Sequence, residues 1–330
     1  MSSTLRSSRL KAKKSLFSTD IRIKPYEYKG LHGRYVHLPA KSPAAKRTFI
    51  ILYGHHATLE RIIPIAETLS EYGDVYMPDN PGFGGMDSSY KIGQKANLEF
   101  FAGHLKYFID NYVEPSRLIS IMGISFGFQI AVDFVHRYPE YEQRIENLVS
   151  FAGFVSPRNI GMSPGKRILF KYLLGKTGKS KLGAAVMGLA INDFTITKIY
   201  QLTWKQNVRF DSIPPSAVDE YIAGQVMLWK SSDHRTHAQT GFDFFGANEL
   251  STYRFNDLSL IHVGIPRDHF INDAAVRKDM KLMFKKVLLL ELDIPSHAPL
   301  DLDTPAKIKA VLPHELLEPL TKSKNLHAVI

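Results

Sequence analysis

Short apolar runs alternate along the chain with stretches whose apolar residues recur at helical spacing. Residues 48–53 form a nearly continuous apolar run of the kind found in strands that are buried on both faces, and residues 59–72 then show helical periodicity. The same alternation predicts further strands at 75–77, 118–122 and 148–151 and helices at 98–113 and 126–138. Strands that alternate with helices favour a mostly parallel sheet covered on both faces. The pattern predicts an α/β fold.

The alternation stops between about residues 157 and 256, where the sequence is mainly helical, loop-like and basic. We interpret this stretch as an inserted helical cap. The strand and helix rhythm then resumes, with strands predicted at 258–263 and 287–292 and helices at 273–286 and 305–311. Near the start of the chain, residues 21–28 and 34–38 predict a hairpin joined through Gly30 and Gly33. The predicted organisation is a basic flexible tail at 1–20, a first part of the core at 21–156, the cap at 157–256 and a second part of the core at 257–330.

The amino-acid composition excludes several kinds of chemistry and of binding partner. The 330 residues include no cysteine, which excludes disulfides, thiolate catalysis and cysteine-ligated zinc. The net charge of +10 raises the question of nucleic acid, but the basic residues are spread out and no nucleic-acid motif accompanies them, so we expect no nucleic-acid partner. A basic, acid-free start is typical of a solvated tail, and we expect a cytoplasmic protein, with an organellar transit segment as the alternative. Its basic residues are Arg6, Arg9, Lys11, Lys13 and Lys14.

A candidate nucleophile lies where a buried strand meets a helix. Residues 123–127 read Gly-Ile-Ser-Phe-Gly, between the strand that ends at Met122 and the helix that begins near Phe126. A serine nucleophile requires a sharp strand-to-helix turn, and Gly123 and Gly127 permit such a turn around Ser125. The spacing and its position together predict a nucleophile elbow rather than an ordinary glycine-rich turn.

A serine hydroxyl needs an imidazole to accept its proton and a carboxylate to orient that imidazole. Asp268 follows the strand at 258–263, and His297 follows the strand at 287–292. Both lie at predicted carboxyl ends of strands, the edge at which open α/β sheets place their sites. Asp273 is a nearby competitor for the acid. An acid after the preceding strand is disfavoured because residues 152–159 contain no carboxylate.

Acyl transfer also needs donors for the developing oxyanion, and we predict the backbone N–H groups of His55 and Phe126. His55 and His56 are adjacent, which could suggest a metal site. Adjacent side chains point in different directions and no further ligand cluster accompanies them, so we expect neither a metal nor another cofactor.

These motifs, in this order, resemble the α/β-hydrolase fold enzymes that carry a helical cap, the esterase, lipase and carbon-carbon hydrolase branches. The resemblance spans residues 48–312 and includes Gly54 and a loop at 79–84 similar to the family's Asp-x-Pro-Gly-x-Gly. The chain differs in having Tyr53 where the family often has histidine, and Phe128 where a small residue is usual. The resemblance implies a structural role for the aspartate of the 79–84 loop. Because the elbow residue is serine, it argues against the dehalogenase and epoxide hydrolase branches.

The resemblance implies a serine hydrolase that cleaves a small-molecule carboxylic ester through an acyl-enzyme on Ser125. Carbon-carbon bond hydrolysis by the same triad is an alternative, as is a ligand-binding protein without activity; the oligomeric state stays open. The cap carries a basic stretch interleaved with apolar residues. One interpretation is a cap helix whose lysines are solvated. The other is a weak contact with an anionic lipid surface or an acidic partner. The basic residues of this stretch are Lys166, Arg167, Lys171, Lys176, Lys179 and Lys181.

Overall fold

A computed structural model of the chain describes residues 22–42, 47–207, 213–294, 296–297, 302–313 and 315–316. The predicted tail at 1–20 lies outside these residues. Eight strands form one sheet in the order β1-β2-β4-β3-β5-β6-β7-β8. The strands are β1 Ile23–Tyr28, β2 Leu31–Leu38, β3 Arg47–Leu52, β4 Gly73–Pro78, β5 Ile119–Ile124, β6 Ile145–Phe151, β7 Phe255–Gly264 and β8 Phe284–Glu291. The strands β3 to β8 run parallel, whereas β2 is antiparallel to both of its neighbours.

Helices cover the sheet and fill the segment between β6 and β7. They are α1 Leu59–Leu69, α2 Leu98–Tyr112, α3 Phe126–Arg137, α4 Pro164–Lys179, α5 Lys181–Ala190, α6 Asp193–Thr203, α7 Val218–Lys230, α8 His234–Gly246, α9 Asp273–Met283 and α10 Pro305–Val311. The helices α4 to α8 all lie within the stretch that the sequence assigns to the cap. In the described part of the chain no single helix is long and apolar enough to cross a membrane, although α5 and the helical residues 193–206, bent by 58°, meet that criterion together.

The core is built from the alternation that the sequence displays. The residues of β3 after Arg47 are all buried, as are nearly all of those of β5, because helices cover both faces of these central strands. Among the helices, α3 packs against β5 and also contacts β3 and β6. The carboxyl ends of the central strands therefore meet at one edge, where the loops after β3, β5, β7 and β8 come together.

Two predicted boundaries are wrong. The hairpin turns at Lys29 and Gly30, and Gly33 lies inside β2 opposite Tyr26, where a side chain would press into the Tyr26 ring. The helix predicted to reach residue 286 ends at Met283, and β8 begins at Phe284. Phe284 is buried and stacks on Phe255 of β7, so tertiary packing draws these residues into the sheet.

Candidate active site

Ser125 occupies a strained turn between β5 and α3. Its backbone has φ 52° and ψ −118°, a conformation that non-glycine residues rarely adopt. The turn is held by backbone hydrogen bonds, since the N–H of Ser125 donates to the carbonyl of Phe151 at 2.9 Å and the N–H of Phe128 donates to the carbonyl of Ser125 at 3.0 Å. Strain at this position is maintained by the surrounding packing, as expected of a nucleophile elbow.

The glycines on both sides of Ser125 are required by close backbone contacts. A Cβ at Gly123 would collide with the backbone of Phe128, and one at Gly127 would collide with the carbonyl of Leu52 in β3. The bulky Phe128, where the α/β-hydrolase pattern usually has a small residue, is fully buried. Space for it comes from Gly153, where a Cβ would lie 2.7 Å from that of Phe128. The departure from the family pattern is therefore compensated across the packing interface.

The three residues predicted to form a triad are joined in one row of hydrogen bonds. The Nε2 of His297 lies 2.8 Å from the Oγ of Ser125, and its Nδ1 lies 2.5 Å from Oδ2 of Asp268. A carboxylate oxygen can only accept, so the Nδ1 of His297 carries the proton and Nε2 is left to accept from the Ser125 hydroxyl. This tautomer is the one that a general base requires.

Backbone donors hold Asp268 in place. Its Oδ1 accepts from the N–H of Phe270 at 2.7 Å and from that of Ile271 at 3.1 Å, which leaves Oδ2 to face the imidazole. The alternative acid, Asp273, has other partners, since it accepts from His262 at 3.1 Å and from Arg277. The two backbone donors were not predicted from sequence, although an aspartate often accepts from the N–H two residues on.

The loop after β3 approaches Ser125 from the other side. A Cβ at Gly54 would lie 3.2 Å from the Cβ of Ser125, so glycine permits the close approach. The next residue, His55, donates from Nε2 to the carbonyl of His237 in α8 at 3.1 Å. Burial lowers the pKa of His55 to about 4, and it also lowers that of His237 well below the ordinary value. Both imidazoles are neutral at pH 7, and His55 ties the predicted oxyanion loop to the cap.

Aromatic rings surround this junction of cap and core. The ring of Phe244 on α8 lies 5.1 Å from that of His55, 5.7 Å from Phe154 and 6.4 Å from Phe126. His56 packs on Trp229 at 4.3 Å. In the described part of the chain, no group of three or more histidine, aspartate or glutamate side chains could hold a metal ion. The rings of His55, Phe126, Phe154 and Phe244 form an aromatic cluster beside the elbow.

The loop after β4 is fixed by a buried carboxylate. Asp79 accepts from the hydroxyl of Tyr53 at 2.8 Å and from Nε of Arg34 at 2.9 Å. The same hydroxyl accepts from the N–H of Asn80 at 2.9 Å. Tyr53, which stands where the family often has histidine, thus holds the loop at 79–84 through hydrogen bonds. None of these hydrogen bonds joins Asp79 to Ser125, His297 or Asp268.

The site is almost closed to solvent. Ser125 is 8% exposed, and the side chains of Asp268 and His297 are 1% and 20% exposed. Ser125 and Asp268 are therefore buried, and His297 is the most exposed member of the row.

No protein-family model and no curated protein sequence matches the chain. Several solved structures, however, match the chain in fold. A hydrolase from Pseudomonas aeruginosa is 13% identical and aligns with a TM-score of 0.62 over 92% of this chain and all of the other. The enol-lactonase from Burkholderia xenovorans is 13% identical, with a TM-score of 0.60 over 91% of this chain and all of the other. The N-formylmaleamic acid deformylase from Pseudomonas putida is 17% identical, with a TM-score of 0.56 over 87% and 99%. The chain therefore has the α/β-hydrolase fold, as its motifs predict.

Proposed function

We propose that the protein is a serine hydrolase that cleaves a carboxylic ester through an acyl-enzyme on Ser125. The observation that carries the proposal is the row from Ser125 through His297 to Asp268, with distances of 2.8 and 2.5 Å, on a strained elbow. Structural neighbours described as a lactonase and a deformylase support hydrolysis at a carbonyl carbon, at identities that establish only the shared fold.

In the proposed reaction the Oγ of Ser125 forms a bond to the acyl carbon while its proton passes to Nε2 of His297. The carbonyl electron pair moves onto oxygen, and the N–H groups of His55 and Phe126 are the proposed donors to it. The ester C–O bond then breaks, and the leaving oxygen takes the proton from His297. Water repeats the sequence at the acyl-enzyme and releases the acid. Asp268 stabilises the imidazolium in both halves.

The buried rings next to the elbow suggest the class of acyl group. Phe126, Phe154 and Phe244 pack together beside Ser125, and we infer a small to medium apolar acyl chain rather than a charged one. An apolar pocket gains about 0.8 kcal/mol for each methylene that it buries, so kcat/KM should rise with chain length until the pocket is full.

The test is hydrolysis of p-nitrophenyl esters of increasing acyl length by wild type and by Ser125→Ala. We expect turnover by wild type and its loss in the variant. A matched control is Ser296→Ala, since the buried Oγ of Ser296 has no hydrogen-bond partner among the described residues. The control should retain turnover. Equal turnover by wild type and Ser125→Ala would refute the assignment.

A fluorophosphonate probe separates catalysis from ligand binding. A reactive serine should form a covalent adduct, located by mass spectrometry at Ser125 and absent from Ser125→Ala. An adduct without ester turnover would contradict ester specificity and favour carbon-carbon bond hydrolysis by the same three residues. Absence of both would favour a ligand-binding role.

A further inference from the structure

Exposed apolar side chains are concentrated on three consecutive helices of the cap. Thirteen large apolar side chains are exposed in the part of the chain that the structure describes, and eleven of them lie on α4, α5 and α6. These eleven are Ile168, Leu169, Phe170, Tyr172, Leu173, Leu182, Val186, Leu189, Phe194, Ile199 and Leu202. Soluble proteins rarely expose so many large apolar groups together unless the surface binds something. We call the exposed side chains of α4 to α6 the outer cap surface.

The helix α5 shows the pattern most clearly. Its ten residues are mainly apolar, yet none of them is buried. Leu182, Val186 and Leu189 follow one another at spacings of four and three, so they form a single stripe, and Leu189 is 77% exposed. On α6, Ile199 and Leu202 stand one turn apart, and Leu202 is 78% exposed. Folding does not account for these apolar positions, because they do not enter the core.

The helices that carry the surface are anchored on their other side. Gly175 and Gly178 of α4 let this helix approach α8 closely, because a Cβ at either would press on Phe242 or on the backbone of Gln239. Phe170, although 44% exposed, also stacks on the ring of Phe245 of α8 at 5.9 Å. The inner face of α4 is thus packed, which fixes the direction in which its outer face points.

The segment that carries the outer cap surface has a strong excess of positive charge. Between residues 164 and 207 the chain has eight basic residues and one acidic residue, Asp193, which pairs with Lys230 of α7 at 2.5 Å. The basic residues are Lys166, Arg167, Lys171, Lys176, Lys179, Lys181, Lys198 and Lys205. Three of these basic side chains contact other parts of the protein: Arg167 donates to the carbonyl of Pro157, Lys171 donates to that of Gly246, and Lys179 lies over the ring of Phe242. Lysines that alternate with large apolar side chains are typical of helices that lie in the interface of an anionic membrane. The cores of protein interfaces are instead depleted of lysine.

The length of α5 indicates how this helix would lie on a membrane. The ten residues of α5 span about 15 Å, half the roughly 30 Å thickness of a bilayer core. A helix of this length with lysine at its start fits flat at the headgroup level, with its apolar stripe directed toward the acyl chains.

Aromatic rings connect this surface with the Ser125 site. Phe170 of α4 stacks on Phe245, whose ring lies 6.4 Å from that of Phe270, and Phe270 lies 5.4 Å from the ring of His297. A chain of contacting aromatic rings therefore runs from the outer cap surface to His297. We propose that α4 to α6 dock the protein on bilayers rich in anionic phospholipid.

Vesicle co-sedimentation tests this proposal, with full-length Ser125→Ala protein so that no lipid is hydrolysed. Binding is compared on phosphatidylcholine vesicles and on vesicles with roughly one third phosphatidylglycerol, because each lysine near an anionic surface should raise affinity about fivefold. We expect at least tenfold tighter binding to the anionic vesicles, weakened by salt. No binding to either vesicle would overturn the proposal. The result does not depend on the proposed hydrolase activity.

Two sets of substitutions locate the contact. Leu182→Ser, Val186→Ser and Leu189→Ser together should reduce binding at least about tenfold, because three apolar side chains no longer enter the interface. The matched control carries Leu282→Ser, Lys278→Gln and Lys281→Gln on α9, where Leu282 and both lysines are exposed on the hydrolase core. The control should bind as the parent does. Thermal unfolding verifies that all three proteins are folded.

Other occupants give different results. Binding to vesicles that persists in the α5 triple variant would overturn the assignment. Dimerisation abolished by that variant, without vesicle binding by the parent, would show that the surface meets a second copy. Binding to polyglutamate as tight as to anionic vesicles would show that charge alone decides and would favour an acidic protein partner.

Discussion

The helices α3 and α5 use apolar residues in opposite ways. Ten of the twelve residues of α3 are buried, and this packing holds Ser125 in its strained conformation at the helix N-terminus. None of the ten residues of α5 is buried, although its sequence is more uniformly apolar. Burial on α3 stabilises the fold and the site, whereas the apolar residues of α5 contribute little to either. The comparison shows that the apolar residues of α3 pack around Ser125, whereas those of α5 face the surroundings of the protein.

The largest effect should follow from a change in the row from Ser125 through His297 to Asp268. His297→Gln removes the acceptor of the serine proton, and kcat for an ester should fall about 10⁴-fold or more. His269→Gln is the matched control, since His269 is exposed and lies near Asp268 in sequence. It should leave kcat unchanged. Similar losses in both variants would place the base elsewhere.

The next effect distinguishes Asp268, in the loop after β7, from Asp273, the first residue of α9. Asp268→Asn keeps the shape but loses the charge that fixes the imidazole, and kcat should fall about 10³-fold to 10⁴-fold. Asp273→Asn disturbs the contacts with His262 and Arg277 instead, so it should lower the free energy of unfolding by about 1 to 3 kcal/mol while kcat is retained. Steady-state kinetics and urea denaturation separate the two. Loss of kcat in Asp273→Asn alone would reverse the assignment of the acid.

A methyl group at the elbow tests how tightly the core is built. Gly127→Ala places a Cβ against the carbonyl of Leu52, a backbone atom that cannot turn aside. The free energy of unfolding should fall by about 3 kcal/mol or more. Urea denaturation measures the change, and a value within error of wild type would contradict the packing described around Ser125.

The sequence predicts much of this core because its signals are local. The alternation of apolar runs and helical periods gives the fold class, and the position of Ser125 between two glycines gives the elbow. The row to Asp268 and His297 follows from their places after strands, and the structure brings these side chains together. Catalytic roles for the three stay predictions.

Contacts between distant segments could not be predicted. Nothing local shows that Gly153 makes room for Phe128, that Tyr53 donates to Asp79, or that His55 bonds to the carbonyl of His237. The sequence predicts a helix at Phe284, because local periodicity does not show that this residue pairs with Phe255 of the neighbouring strand. The basic stretch of the cap can be found in the sequence. That the apolar residues of α5 and α6 are exposed beside it becomes known only from the way α4 packs on α8.

Acid should weaken the core around a buried histidine. His104 is buried on α2 beside the hydroxyl of Tyr26, and burial lowers its pKa to about 3. Between pH 6.5 and 3 the unfolded chain binds a proton that the folded chain does not, so stability falls as the pH falls through this window. The loss from this group is about 2 kcal/mol by pH 5. Urea denaturation at pH 7 and pH 5 measures it, and His104→Gln should flatten the difference; an unchanged pH dependence in that variant would contradict the assignment.

The smallest effect has the opposite sign and tests the cap. Gly224 lies inside α7, and a Cβ there would have no neighbour within 4 Å. Alanine at this position limits the unfolded chain and favours the helix, so Gly224→Ala should raise the free energy of unfolding by about 0.5 to 1 kcal/mol. Gly175→Ala is the matched comparison, because a Cβ there would lie 2.8 Å from the ring of Phe242 and should destabilise the protein. Stabilisation by both would mean that α4 is not held against α8, and the outer cap surface would then lose its fixed orientation.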